Sequence, residues 1–180
     1  IRDSPQEMAL DLRVAVARVA ADPDYQRLFE KAFPGKPITF GLIAKSVASY
    51  ERTLVSYDSD LDRYLAGNKS ALRPAAKRGM ALFIGKASCI ECHHGPLLTD
   101  HKFYYTGVPE RDGDSKPGSR YKTQSLRDVT RRFSYMHNGI FLRIEGVIDH
   151  YVRGGSAPPG VQAGIVPTAL TNEERSDLTA

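Results

Sequence analysis

The chain has 180 residues, which fits one domain, or one domain and part of another. Hydrophobic residues make up 41% and charged residues 26%, with net charge +4 and mean hydropathy −0.37, the composition of an ordinary soluble chain with enough apolar residues for a core. Lys and Arg are dispersed rather than gathered in a tract, which argues against a nucleic-acid surface, and no apolar run is long enough to span a membrane.

The predicted elements are mostly helical. Ser4-Pro5-Gln6-Glu7 is a capping box with proline at the first helical position, and Leu10, Val14, Ala17 and Ala21 continue at helical spacing over 6–21. Asp22-Pro23 opens a second helix carrying Tyr25, Leu28, Phe29 and Phe33, which Pro34-Gly35 stops. Thr39 caps a third, on which Leu42, Ile43, Val47, Tyr50 and Leu54 mark an expected buried stripe. Leu61, Tyr64 and Leu65 suggest a short helix ended by Gly67-Asn68, and Pro74 starts another through Met80, Leu82 and Phe83 to Gly85. Residues 94–132 are rich in Gly, Pro and charge. The Asp112 and Asp114 pair there faintly resembles a calcium loop but lacks the required Glu, so a solvated loop is expected, forming a wall beside a cofactor. Residues 145–152 form a short helix ending at Gly154-Gly155, and Thr171-Asn-Glu-Glu174 is a second capping box. There is no strand series and no repeat. The expected class is mainly α with long loops.

Cys89-Ile90-Glu91-Cys92-His93 carries the chemistry. C-x-x-C-H is the c-type haem attachment signature: two thiols add to the porphyrin vinyl groups and the adjoining imidazole binds the iron from one face. Cys89 and Cys92 are the only cysteines. Structural zinc wants four N or S ligands, and a lone pair beside His93 and His94 crowds the imidazoles onto one side. A thioredoxin-type motif wants a βαβ setting, which the helical pattern does not offer, and a disulfide across two residues would stabilise little. Residues 1–70 are expected as a helical segment packing on or leading into the haem domain, and 71–180 as a cytochrome c-like haem-binding domain with long loops, its last helix cut short. Covalent haem c is built outside the cytoplasm, so a leader removed or upstream of Ile1 and a periplasmic location are expected. Both ends are expected to be cut.

Several stretches in order resemble the second half of bacterial di-haem cytochrome c peroxidases and MauG-like enzymes: 43–55 (IAKSVASYERTLV), 62–67 (DRYLAG), 76–83 (AKRGMALF), the haem motif with His94-Gly95-Pro96, 103–109 (FYYTGVP), 121–127 (YKTQSLR), 135–139 (YMHNG) and 151–155 (YVRGG). The resemblance covers most of the chain. It implies a six-coordinate haem that takes electrons from a small donor protein and passes them to a peroxidatic haem, on this or another chain, where hydrogen peroxide is reduced; MauG-type relatives instead oxidise a partner protein. One C-x-x-C-H and no tryptophan depart from the pattern. If no second haem domain exists, the alternative is a mono-haem electron carrier.

The candidates for the iron's other face are Met136, His137 and Tyr151, with His94, His101, His150 and Met80 as weaker ones. His94 is too close to the proximal ligand to reach round the ring, Met80 is expected in the core, and His101 and His150 are expected to be exposed or satisfied polar residues. Met136 is attractive because Met opposite His raises a haem potential. The resemblance favours Tyr151: the peroxidases carry an axial Met fourteen residues beyond the histidine that aligns with His137, and MauG-type enzymes have tyrosine there. It also implies His137 as a residue near the haem that does not bind iron, and calcium held by the backbone carbonyls of Arg132 and Ser134. Arg127 and Lys122 are candidate partners of the haem propionates, or members of a solvated basic loop.

Overall fold

The structure, a computed structural model, describes residues 9–109, 118–157, 160 and 163–180; the Ser4 capping box and the Asp112–Asp114 pair lie outside them. The described residues form seven α-helices and one two-stranded antiparallel sheet, the mainly α architecture with long loops that the sequence predicts. The chain divides into two compact units, residues 1–55 and 56–180.

The first unit holds α1 (Leu12–Ala21), α2 (Pro23–Ala32) and α3 (Phe40–Glu51). Asp11 caps α1: it is extended and its carboxylate accepts the N–H groups of Arg13 and Val14, so the helix starts later than the expected residue 6. Asp22 and Thr39 cap the next two in the same way. The α3 stripe is not the buried face its spacing predicts. Val47 is 51%, Tyr50 64% and Leu54 63% exposed, and Phe29 is the one apolar side chain described in this unit that is buried. Three short helices have too little interior to cover every apolar face.

The second unit holds α4 (Asp60–Leu65), α5 (Pro74–Ile84), α6 (Ile144–Val152) and α7 (Asn172–Leu178). α4 belongs here because Arg127 reaches it. Its guanidinium grips Asp62 at 2.8 and 2.9 Å while also donating to the carbonyls of Ser56 (2.9 Å) and Pro96 (2.6 Å). Residues 56–70 accordingly group with the second unit.

α5 and α7 cross at backbone contact. A Cβ on Gly79 would sit 1.9 Å from the Asp177 carbonyl oxygen, so only glycine fits. Arg78 forks onto the buried Asp177 carboxylate with two bonds of 2.7 Å, and Lys86 donates to Glu174 at 2.7 Å. The Thr171 capping box closes with both bonds present, fixing where α7 begins. The helix α5 ends at Gly85 and hands the chain to the cysteine motif. Strand β1 (Phe103–Tyr104) pairs with β2 (Tyr121–Lys122) beyond it.

Candidate haem-binding site

Cys89–Glu91 forms one 3-10 turn, entered through Ser88 in the left-handed region (φ 51°). The His93 N–H donates to the Cys89 carbonyl at 2.9 Å, so one turn delivers both sulfurs and the imidazole. The loop then folds back: Asp100 N–H donates to the Cys92 carbonyl and Thr99 N–H to that of His94, each at 2.9 Å. This return places the Leu98 carbonyl 3.0 Å from His93 Nδ1. A carbonyl can only accept, so Nδ1 carries the proton and Nε2 carries the lone pair. That is the tautomer a metal-binding imidazole needs, oriented from behind by a backbone acceptor. Burial lowers the His93 pKa, against the pull of the Leu98 and Gln124 carbonyls, and so favours the neutral ring.

Cys89 and Cys92 are half-buried, unpaired thiols. Burial pushes both up, which opposes the activated thiolate that redox or nucleophilic cysteines require. Among the described residues no three His, Cys, Asp or Glu side chains gather. Beside Cys92, the Tyr104 hydroxyl donates to Asp100 at 2.7 Å. That bond raises Tyr104 to about 12. Burial works to raise Asp100, but the hydrogen bonds from Tyr104, Lys102 and Thr123 outweigh it and bring the carboxyl to about 2.

Tyr151, in the last turn of α6, lies close enough to both cysteines to sense their charge. Its phenol is pushed up to about 12, first by burial and then by Cys89 and Cys92, while the Thr106 hydroxyl pulls the other way. Met136 is half-buried at φ 68°, in the turn that the Tyr135–Phe141 bridge closes. His137 is exposed and stacks face to face on Tyr121, ring centres 3.7 Å apart. Arg127 is engaged by Asp62, Ser56 and Pro96, leaving at most one of its five N–H groups. Lys122 and Arg132 are exposed and Ser134 is half-buried. His94 and His101 are exposed, but His150 departs from its expectation: it is 0% exposed, with Nε2 bonded to the Thr106 carbonyl and Nδ1 unpartnered.

Sequence reasoning missed Thr106, the Leu98 carbonyl and the burial of His150. Only His150 left a trace, since it stands between apolar positions on α6; backbone acceptors leave none.

These residues fit covalent haem: two adjacent neutral thiols on one turn with an imidazole whose Nε2 keeps its lone pair. A family model described as di-haem cytochrome c peroxidase matches residues 2–70. The methylamine utilization protein MauG of Methylorubrum extorquens is 37% identical over 98% of this chain. The chain belongs to the di-haem cytochrome c peroxidase and MauG-like family. A cytochrome-c peroxidase of Pseudomonas sp. is 33% identical over 94% of the chain. The chain spans about half the length of these curated relatives, 53% and 56% respectively. A crystal structure of a MauG-like protein associated with microbial copper homeostasis superimposes with TM-score 0.72 at 31% identity, covering 93% of this chain and 60% of that one. Family membership implies haem c as the cofactor. No helix among the described residues is long and apolar enough to cross a membrane.

Proposed function

We propose that this chain is the electron-transfer half of a periplasmic di-haem oxidoreductase, holding a six-coordinate haem c between His93 and Tyr151. The observation that carries the reading is the single turn that delivers Cys89, Cys92 and a His93 imidazole whose tautomer is already set. Haem c, when bound, supplies one-electron chemistry at iron.

The residues act around it. Cys89 and Cys92 would hold the group through thioethers, and the Leu98 carbonyl, accepting from His93 Nδ1–H, leaves Nε2 with the lone pair that would bind iron. A phenolate is a hard anionic ligand that favours ferric and higher states, whereas the Met136 alternative would favour ferrous iron. Tyrosine ligation therefore supports a site that shares an oxidising equivalent with a second haem, as in MauG-like oxidation of a partner protein, beside the peroxidase role of reducing hydrogen peroxide with electrons from a small donor protein. His137 lies near the haem without binding iron, and Arg132 and Ser134 offer backbone carbonyls to calcium in this reading.

The length of the relatives, nearly twice that of this chain, favours a second haem domain over the mono-haem carrier. Counting haems in the complete gene product and adding peroxide with a reduced donor tests the proposal. Two haems with peroxide consumption that Cys89→Ala plus Cys92→Ala removes are expected; one haem and no peroxide consumption would leave the carrier role instead.

A further inference from the structure

The last turn of α6 carries a residue that packing alone does not explain. His150, one place before Tyr151, is wholly enclosed, with the Phe141 ring at 5.4 Å and the Tyr151 ring edge-on at 5.7 Å between centres. Its Nε2 lies 2.8 Å from the Thr106 carbonyl oxygen. A carbonyl only accepts, so the proton sits on Nε2, and Nδ1 keeps a buried lone pair that meets no donor. An enclosed acceptor left without a donor is unfavourable. Phenylalanine or leucine would fill the same space without that loss. What histidine adds here is the one N–H given to Thr106.

The loop that receives this bond is held on both sides of it. The Tyr105 carbonyl accepts from Gly164 N–H at 2.8 Å and the Gly107 carbonyl from Ser156 N–H at 2.7 Å. Three consecutive carbonyls are thus taken by three separate donors. Gly155 (φ 85°) permits the close pass, since a Cβ there would stand 2.9 Å from the Thr106 oxygen. On the α6 side, Gly155 N–H returns to the His150 carbonyl at 3.0 Å, and the neighbouring Asp149 pairs with Arg175 at 2.5 Å. The His150 side chain therefore joins the end of α6 to a loop whose own backbone is already fixed.

We propose that His150 is a positioning residue: its Nε2–H bond to the Thr106 carbonyl fixes the last turn of α6 and so sets where the Tyr151 side chain stands relative to the haem iron. The proposal rests on Tyr151 being the axial ligand opposite His93. His150 acts through Tyr151 and not on the group itself. A ligand whose backbone is held in advance does not have to order a helix end in order to bind.

The test uses the complete, haem-loaded protein. His150→Phe keeps a ring and removes the N–H, while His150→Gln returns an amide N–H close to the place of Nε2. The readouts are the five-coordinate share of ferric haem, from absorption and electron paramagnetic resonance, and the thermal midpoint. His150→Phe should raise the five-coordinate share several-fold, and His150→Gln should bring it most of the way back. Gly155→Ala drives a methyl group against the Thr106 oxygen and should raise the share as well; it carries the test should His150→Phe fail to take up haem. A parent-like spectrum with only the thermal midpoint lowered would leave His150 a packing role and overturn the proposal. A spectrum that His150→Gln does not restore would overturn it too. Tyr151→Phe separates the two layers. A ferric spectrum it does not change removes the ligand assignment, and the positioning role with it. A spectrum it does change, and that His150→Phe changes further in the double variant, overturns the role of His150 alone.

Discussion

The α5–α7 crossing and the cradle around Tyr151 hold the same unit together by opposite means. The crossing uses two regular helices, a glycine where the backbones meet and ion pairs between neighbouring side chains. The cradle is irregular chain held by carbonyls that accept from a histidine, a serine and a glycine brought from elsewhere in the sequence. Contact through side chains leaves a pattern in the sequence; contact through carbonyls does not. The difference also separates stability, which the crossing supplies, from the geometry of the proposed haem site, which the loops supply.

The largest expected effect lies at the tether between these regions. Replacing Cys89 and Cys92 together by Ala should abolish covalent haem, seen as loss of the haem mass from the denatured chain; retention of that mass would remove the attachment site.

Next comes the crossing itself. Gly79→Val places atoms inside the α7 backbone and forces the helices apart, at a cost of roughly 3 kcal/mol or more. Denaturant unfolding of the loaded protein measures it, and the ferric spectrum of whatever remains folded should be unchanged. A spectrum that moves with Gly79→Val would show that the two regions are not separate in role.

A smaller effect belongs to Arg127 and Asp62, which anchor the loop side. The hydrogen bonds from Arg127 hold the Asp62 carboxyl well below the usual carboxylate range. A depressed folded pKa gives stability that is fully present above the unfolded value of about 4 and is lost as pH falls through the folded one. The thermal midpoint of the parent should therefore exceed that of Asp62→Asn near neutral pH, with the gap closing as the solution is acidified below about pH 4. A gap independent of pH would mean the ion pair contributes nothing.

Much of the helical frame was legible. Asp22-Pro23, Thr39, Pro74 and the Thr171 box each begin a helix where their chemistry says one should begin. The α3 stripe was misread because periodicity reports which face is apolar, not whether anything covers it. Arg127 was read as a propionate partner from charge alone, while Asp62, separated from it by 65 positions, cannot be paired with it by inspection. In the proposed site, Cys89, Cys92 and His93 stand out in the sequence because attachment would demand contiguous residues. Tyr151 came from resemblance. Thr106 and Leu98 were invisible since what they offer to His150 and His93 is a carbonyl every residue has.

The measurement that tests the central claim most directly is the ferric absorption and electron paramagnetic resonance spectrum of the loaded protein beside that of Tyr151→Phe. With His93 below and Tyr151 above the iron, the parent should show a six-coordinate histidine–tyrosinate signature that Tyr151→Phe eliminates. Superimposable ferric spectra from the two proteins would contradict the account.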